Sequence, residues 1–112
     1  MKYFLLHILL ILLVAFPFTG CRRHYPVADK LQQAENIIFT SPASALQMLE
    51  AIPHPERLTG REQAYYALLL TQARHRCNVI ATSESLIQIA VNYFDNQGNK
   101  PMSAKAWLYL GI

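Results

Sequence analysis

Hydrophobic residues recur at helical spacing along most of the chain, and one stretch near the middle departs from that pattern. Ala64–Leu70 places seven apolar or aromatic residues in a row. With 3.6 residues per turn such a run leaves no polar face on a helix, so other elements must cover it on more than one side. We therefore predict that this segment is the centre of the fold and that its neighbours supply one-sided apolar stripes.

Those neighbours are predicted to be helices. Val27, Leu31, Ala34 and Ile38 are spaced by four, three and four residues, which places them on one helical face. The predicted helices are Val27–Phe39, Ala43–Ile52, a central helix from Thr59 to about Cys77, one that follows Ser83, and Met102–Ile112. No segment alternates as a strand would, so the pattern predicts an all-α fold.

Residues at the boundaries mark the predicted helix ends. Ser41 and Ser83 are suited to N-caps, and Thr59 with Glu62 has the spacing of a capping box. Gly98 is a natural C-terminal stop. Because the linkers are short, successive helices should turn back on each other as antiparallel hairpins. The starts of alternate helices differ by about 33 or 41 residues, a period typical of helical repeat arrays.

The first twenty residues have a different pattern. Lys2 gives a positive start, Leu5–Phe16 is apolar except for His7, and the small residues Thr19 and Gly20 follow. This order is typical of a secretory signal peptide, and the apolar run is shorter than the roughly 20 residues that a membrane-spanning helix needs. We predict a signal peptide at 1–20, a tether at 21–26 and a domain of five helices at 27–112.

Phe18–Cys21, the sequence F-T-G-C, resembles the lipobox of bacterial lipoproteins. The resemblance implies cleavage between Gly20 and Cys21 and acylation of Cys21 with palmitate-type chains. Each buried acyl methylene contributes about 0.8 kcal/mol, so more than one chain anchors a protein stably. It also implies a Gram-negative cell envelope, and Arg22, in place of a retention aspartate, favours the outer membrane over the inner. Two alternatives stay open: an uncleaved single-pass anchor, and a plain cleaved signal that leaves Cys21 free.

The last predicted helix carries a motif. Trp107–Gly111 is W-x-x-L-G, Pro101 stands six residues before its tryptophan, and Ala90 with Phe94 forms A-x-x-x-F upstream. This combination resembles the tetratricopeptide repeat, a helix pair. The resemblance implies stacked hairpins in a short right-handed solenoid, in which the small Gly111 and Ala90 let paired helices approach closely. The packing residues that it implies are Ala90, Phe94, Pro101, Trp107, Leu110 and Gly111.

Residues 28–112 as a whole resemble the amino-terminal part of lipid-anchored tetratricopeptide-repeat proteins of Gram-negative gut anaerobes. Larger members of that group continue with more repeats, a membrane span and a cytoplasmic signalling part. This sequence stops one helix into a repeat, so we expect the last repeat to be incomplete and the chain to be a truncated reading frame or a piece of a longer protein. The alternative is that the last helix caps the array.

Charge and chemistry remove several function classes. The net charge is +3, and the basic residues are scattered, which does not match the clustered footprint of a nucleic-acid-binding protein. His75 and Cys77 are a close His/Cys pair, whereas a zinc site needs about four ligands. There is no G-x-S-x-G elbow and no glycine-rich phosphate loop. We expect no metal, no cofactor and no enzyme activity, and we expect Cys77 to be a small buried hydrophobe.

The sequence therefore predicts a membrane-tethered module that binds an unidentified protein or peptide, as the sensor or scaffold part of a larger protein. Arg74–Arg76 either matches the dipole of its helix end or contacts an acidic partner. Five aromatic residues either pack in the core or line a peptide groove: Tyr65, Tyr66, Tyr93, Phe94 and Trp107. Two other functions stay open, an accessory enzyme subunit of the envelope and a cytoplasmic helical DNA-binding protein with an uncleaved leader.

Overall fold

A computed structural model describes residues 2–15, 27–81 and 83–111. The described residues form helices and one short 3₁₀ turn, with no strand among them. The helices are α1 (Lys2–Ala15), α2 (Val27–Ile37), α3 (Pro42–Glu50), α4 (Gly60–Arg76), α5 (Ser85–Gln97) and α6 (Lys100–Leu110), with the 3₁₀ turn at Pro55–Arg57 between α3 and α4. The predicted all-α class is confirmed.

Helix α4 is the centre of the packed part of the chain. It contacts α2, α3, α5 and α6, so it is covered on several sides, as a helix without a polar face requires. Within the apolar run every residue except Tyr66 is buried, and Leu68 and Leu69 are 1% and 2% exposed. Burying one such leucine contributes about 1.5–3 kcal/mol relative to leaving it in water.

The order of contacts arranges the helices in two layers. Each of α2, α3, α4 and α5 packs on the next helix along the chain, and α4 also packs on α2 and α6. Helices α2, α4 and α6 therefore form one layer, with α3 and α5 across it. The carboxyl end of α4 lies beside the α2–α3 turn, where Arg76 contacts Phe39, and beside the end of α6, where His75 contacts Tyr109.

Two of the predicted side-chain caps are wrong. Ser41 and Thr59 stand at the N-cap positions of α3 and α4, but neither side chain accepts a hydrogen bond from its helix. The capping box with Glu62 is therefore not formed. Pro42 occupies the first turn of α3, and its fixed φ angle suits that position.

The ends of α5 and α6 also differ in detail from the prediction. The predicted N-cap Ser83 is wrong as well, since α5 begins at Ser85 and its N-cap is Glu84. The Oγ of Ser83 accepts the backbone N–H of Ser85 (3.0 Å) in a local turn. Gly98 ends α5 with φ = 67°, the left-handed conformation in which glycine has no penalty. Asn99, which the sequence analysis did not single out, caps α6 by accepting the N–H of Met102 (3.3 Å).

Candidate functional site

The predicted lipidation site, Gly20 with Cys21, lies outside the described residues, but the helix ahead of it is described. In α1 the side chains at 2–10 are all exposed. Most of them are large and apolar, and Phe4 and Leu9 are 72% and 61% exposed. The polar His7 bonds within the helix, since its Nδ1 lies 2.6 Å from the carbonyl oxygen of Tyr3. A helix of this kind is unfavourable in water and compatible with lipid.

Helix α1 has 14 residues in the structure. Among the helices that the structure describes, none is long and apolar enough to cross a bilayer.

A groove runs along the carboxyl-terminal half of α4, and we call it the α4 groove. Its volume is about 1120 Å³. Its floor is α4, one wall is the α4–α5 connection with the first turn of α5, and the rest comes from the ends of α3 and α6. The polar residues that line it are Glu50, Thr71, Arg74, His75, Asn78 and Glu84, and the larger apolar ones are Ile80, Leu86, Tyr109 and Leu110.

The polar side chains of the groove are only partly committed to the protein. The Thr71 hydroxyl donates to the carbonyl of Ala67 (2.8 Å), and His75 meets the ring of Tyr109 edge-on at 5.7 Å. Burial raises the pKa of the neighbouring Tyr66 hydroxyl above its usual 10.0. The positive charge of Arg74 lowers that pKa and the negative charge of Glu50 raises it, so both charges lie within electrostatic reach of Tyr66. The groove therefore offers charge of both signs beside apolar surface.

The basic end of α4 is not a free cluster of three charges. Arg76 donates from Nη2 to the carbonyl of Phe39 (3.3 Å), and its guanidinium carbon lies 4.8 Å from the centre of the Phe39 ring. Arg76 thus closes the α2–α3 turn onto α4 through a cation–π contact. Arg74 and His75 line the groove instead. Phe39 was not predicted as the partner of Arg76, because the two residues are 37 positions apart in the sequence.

The predicted repeat-motif residues divide between the core and the surface. Ala90 and Phe94 are fully buried on α5, and the Phe94 ring meets that of Tyr93 edge-on at 5.3 Å. Pro101 is in the first turn of α6, and Leu110 is half-buried at its end. Gly111 is the exposed C-cap of α6, and a Cβ there would meet only carbonyls of α6 at 3.5 and 3.7 Å. Within the described residues no other helix crosses closely at Gly111.

Trp107 forms the most connected polar contact in the described part of the chain. Its indole Nε1–H donates to both carboxylate oxygens of Asp95, at 3.1 and 3.0 Å. The hydroxyl of Ser103 donates to the same carboxylate. The ring itself remains 52% exposed. Asp95 was not among the predicted site residues. It lies near the end of one helix of a predicted hairpin and Trp107 lies on the next helix, a placement that permits such a bond.

The five aromatic residues divide between the core and the surface. Tyr65 and Phe94 are in the core, and Arg61 lies over the Tyr65 ring at 5.2 Å. Tyr66 and Tyr93 are half-buried, and Trp107 is at the surface.

The remaining polar candidates lie in two separate places, the α3–α4 loop and the end of α4. Nδ1 of His54 lies 3.2 Å from a carboxylate oxygen of Glu56 in the α3–α4 loop, where both side chains are exposed. A backbone hydrogen bond and the bond to His54 lower the pKa of Glu56 below its usual 4.5. Cys77, expected to be buried, is a half-buried free thiol at the end of α4. The described residues hold no group of three side chains suited to a metal ion.

Comparison of the chain with protein-family models, curated proteins and solved structures finds no match.

Proposed function

We propose that this protein is a lipid-anchored component of a Gram-negative cell envelope whose α2–α6 array binds another protein or a peptide. In this proposal α1 belongs to a lipoprotein signal peptide, Cys21 carries the acyl chains, and the outer membrane holds the anchor. The module acts by binding and makes or breaks no covalent bond. Its fold is a short solenoid similar to tetratricopeptide repeats.

The observation that supports a membrane anchor is the difference in solvent exposure between α1 and the packed helices. The apolar side chains of α1 at 3–10 are exposed to solvent, whereas most of those of α2–α6 are buried against one another. Exposed apolar surface costs about 25 cal/mol per Å² relative to burial, so α1 is better accommodated by a membrane during export than by water. A signal peptide has that role, and F-T-G-C at 18–21 supplies the cleavage sequence.

Two observations support the interaction module. The helices pack as consecutive hairpins with contacts between alternate helices, the arrangement in which helical repeats present an extended surface. The α4 groove adds a concave surface with Arg74 and Glu50 beside apolar side chains, the mixture that orients and holds a polypeptide.

The anchor and the module can be tested in one host. Full-length protein should sediment with membranes and take up labelled palmitate, and Cys21→Ser should lose the label. Envelope proteins captured by the immobilised full chain should be lost with Arg74→Gln in the groove and kept with Arg57→Gln, an exposed arginine of the 3₁₀ turn. Retention of the palmitate label in Cys21→Ser would contradict the anchor. Equal capture by both arginine variants would contradict the α4 groove as the binding surface.

A further inference from the structure

Helix α6 has an open face that is almost entirely apolar. Its exposed residues lie on one arc of the helix and are Lys100, Pro101, Ala104, Trp107 and Leu108, with the C-cap Gly111 on the same arc. Trp107 and Leu108 are 52% and 60% exposed. Large apolar side chains that adjoin on one exposed face are typical of a docking surface.

The packing of the array indicates what shape of partner fits this face. Helix α4 has helices on both sides, α2 and α3 before it and α5 and α6 after it, whereas α6 packs mainly on α4 and α5 among the helices that the structure describes. Counted from the first residue of each helix, Ala104, Trp107 and Leu108 correspond to Ala64, Ala67 and Leu68 of α4. All three of those α4 residues are buried. The open face of α6 therefore corresponds to a face of α4 that neighbouring helices cover.

The charges beside the face indicate the chemistry of the partner. Lys100 and Lys105 are the charged residues of α6, and the helix contains no Asp or Glu. The carboxylate that contacts α6, Asp95, is held by the donors of Trp107 and Ser103. A partner with carboxylates at its edges would meet the two lysines, while a basic partner would be repelled.

The Asp95 contact also prepares Trp107 for binding. Because the indole N–H already has its acceptor, an apolar side chain can cover the ring without leaving that donor unpaired. The two hydrogen bonds also fix the orientation of the ring, which lowers the entropy cost of binding. A fixed, half-exposed tryptophan is a typical binding hot spot.

We propose that the open face of α6 docks an amphipathic helix of a partner protein that has acidic residues along both edges of its apolar face. This inference rests on the proposed interaction function and assigns it a second surface, distinct from the α4 groove. A leucine row of the partner would lie on Trp107, Ala104 and Leu108, and its carboxylates would pair with Lys100 and Lys105.

Trp107 is the only tryptophan of the chain, so its fluorescence reports directly on this face. The full chain, in zwitterionic phosphatidylcholine vesicles, is titrated with a tryptophan-free synthetic helix that has a leucine row flanked by glutamates. We expect a saturable blue shift of the emission. Replacing the glutamates by lysines should weaken binding by about three- to tenfold, the range for two exposed ion pairs. Replacing the leucines by serines should abolish the shift.

Two variants separate this face from other apolar surface. Leu108→Ser should remove the blue shift, whereas Phe39→Ser, at an exposed apolar residue beside the α2–α3 turn, should keep it. Both side chains are more than half exposed, so both variants should keep the wild-type circular dichroism spectrum.

Four results would overturn the proposal. They are equal binding of the lysine helix, an unchanged shift in Leu108→Ser, a blue shift that grows with protein concentration without peptide, and a blue shift caused by the vesicles alone. The third would assign the face to a second copy of the chain, and the fourth to lipid. None of these results depends on acylation of Cys21 or on capture through Arg74, so this proposal can fail while the proposed function stands.

Discussion

Two helices of this chain are apolar around most of their circumference, and they have opposite surroundings. In α4 four neighbouring helices cover the run Ala64–Leu70, and only Tyr66 in that run is more than marginally exposed. In α1 the side chains at 2–10 are all exposed. An apolar run therefore indicates that the surface of a helix must be buried. The flanking sequence determines whether other helices of the same chain bury it.

The flanking sequences differ in a simple way. One-sided stripes stand on both sides of α4, for example the stripe with Leu31 and Ala34 before it and the one with Ala90 and Phe94 after it. Such stripes are too narrow to stand alone and pack on a helix that is apolar all round. Next to α1 the sequence is F-T-G-C, which resembles a processing site rather than a packing partner.

The largest expected effect separates the two helices directly. Leu68→Ala should lower the free energy of unfolding by about 2–5 kcal/mol, because it leaves a cavity under four helices. Leu9→Ala in α1 should leave it within about 0.5 kcal/mol of wild type, since that side chain touches little of the fold. Urea unfolding followed by circular dichroism measures both.

A similar decrease in the free energy of unfolding in Leu68→Ala and Leu9→Ala would contradict the difference between the two helices, because it would place α1 in the folded core.

A smaller effect is expected at α6, which is covered on one side only. Asp95→Ala should lower the free energy of unfolding by about 1–3 kcal/mol, the cost of removing a charged acceptor from two donors. Ser103→Ala removes one donor and should cost less. The emission of Trp107, whose indole would lose its acceptor, should change in Asp95→Ala and much less in Ser103→Ala. A Trp107 spectrum that is identical in Asp95→Ala and wild type would contradict the contact.

A third test asks whether α4 is stabilised by packing on neighbouring helices or by a side-chain cap at its N-terminus. Thr59→Ala should change the free energy of unfolding by less than about 0.5 kcal/mol, because the Thr59 side chain makes no cap bond. Asn99→Ala should cost about 1 kcal/mol, because Asn99 does cap α6. Thermal unfolding of both variants checks the order. A larger loss in Thr59→Ala would restore the predicted capping box.

The smallest expected effect is a pH dependence of the free energy of unfolding, which arises because Tyr66 on α4 is partly buried. Burial raises the pKa of Tyr66 above 10.0, so the folded state keeps this proton to a higher pH than the unfolded state does. Its contribution to stability should therefore be constant below pH 10 and decrease as the pH rises above it. Unfolding measured across that range should show a weaker decrease in Tyr66→Phe. An unchanged decrease in that variant would mean that Tyr66 is not the responsible group.

Much of the fold followed from spacing and turn chemistry. The run Ala64–Leu70 predicted the central helix, and Gly98 predicted the end of α5 that the structure confirms. These features are local, since a few neighbouring residues specify them. The five helices of the packed part were predicted with ends that differ by a few residues, as is usual for helix termini.

The remaining features depend on contacts between residues distant in sequence. Thr59 and Glu62 have the spacing of a capping box, but a pattern alone does not fix the rotamers that would close it. The contact of Arg76 with Phe39 spans 37 residues, and that of Trp107 with Asp95 spans 12, so both need the hairpin geometry first. The α4 groove likewise combines four segments of the chain, and no single motif marks it.

The most direct test of the account is the mass of the amino-terminal peptide of the protein isolated from the membranes of a Gram-negative host. The account predicts a peptide that begins at Cys21, carries the mass of the added acyl chains, and lacks α1. A peptide that begins at Met1, or one that begins at an unmodified Cys21, would contradict it.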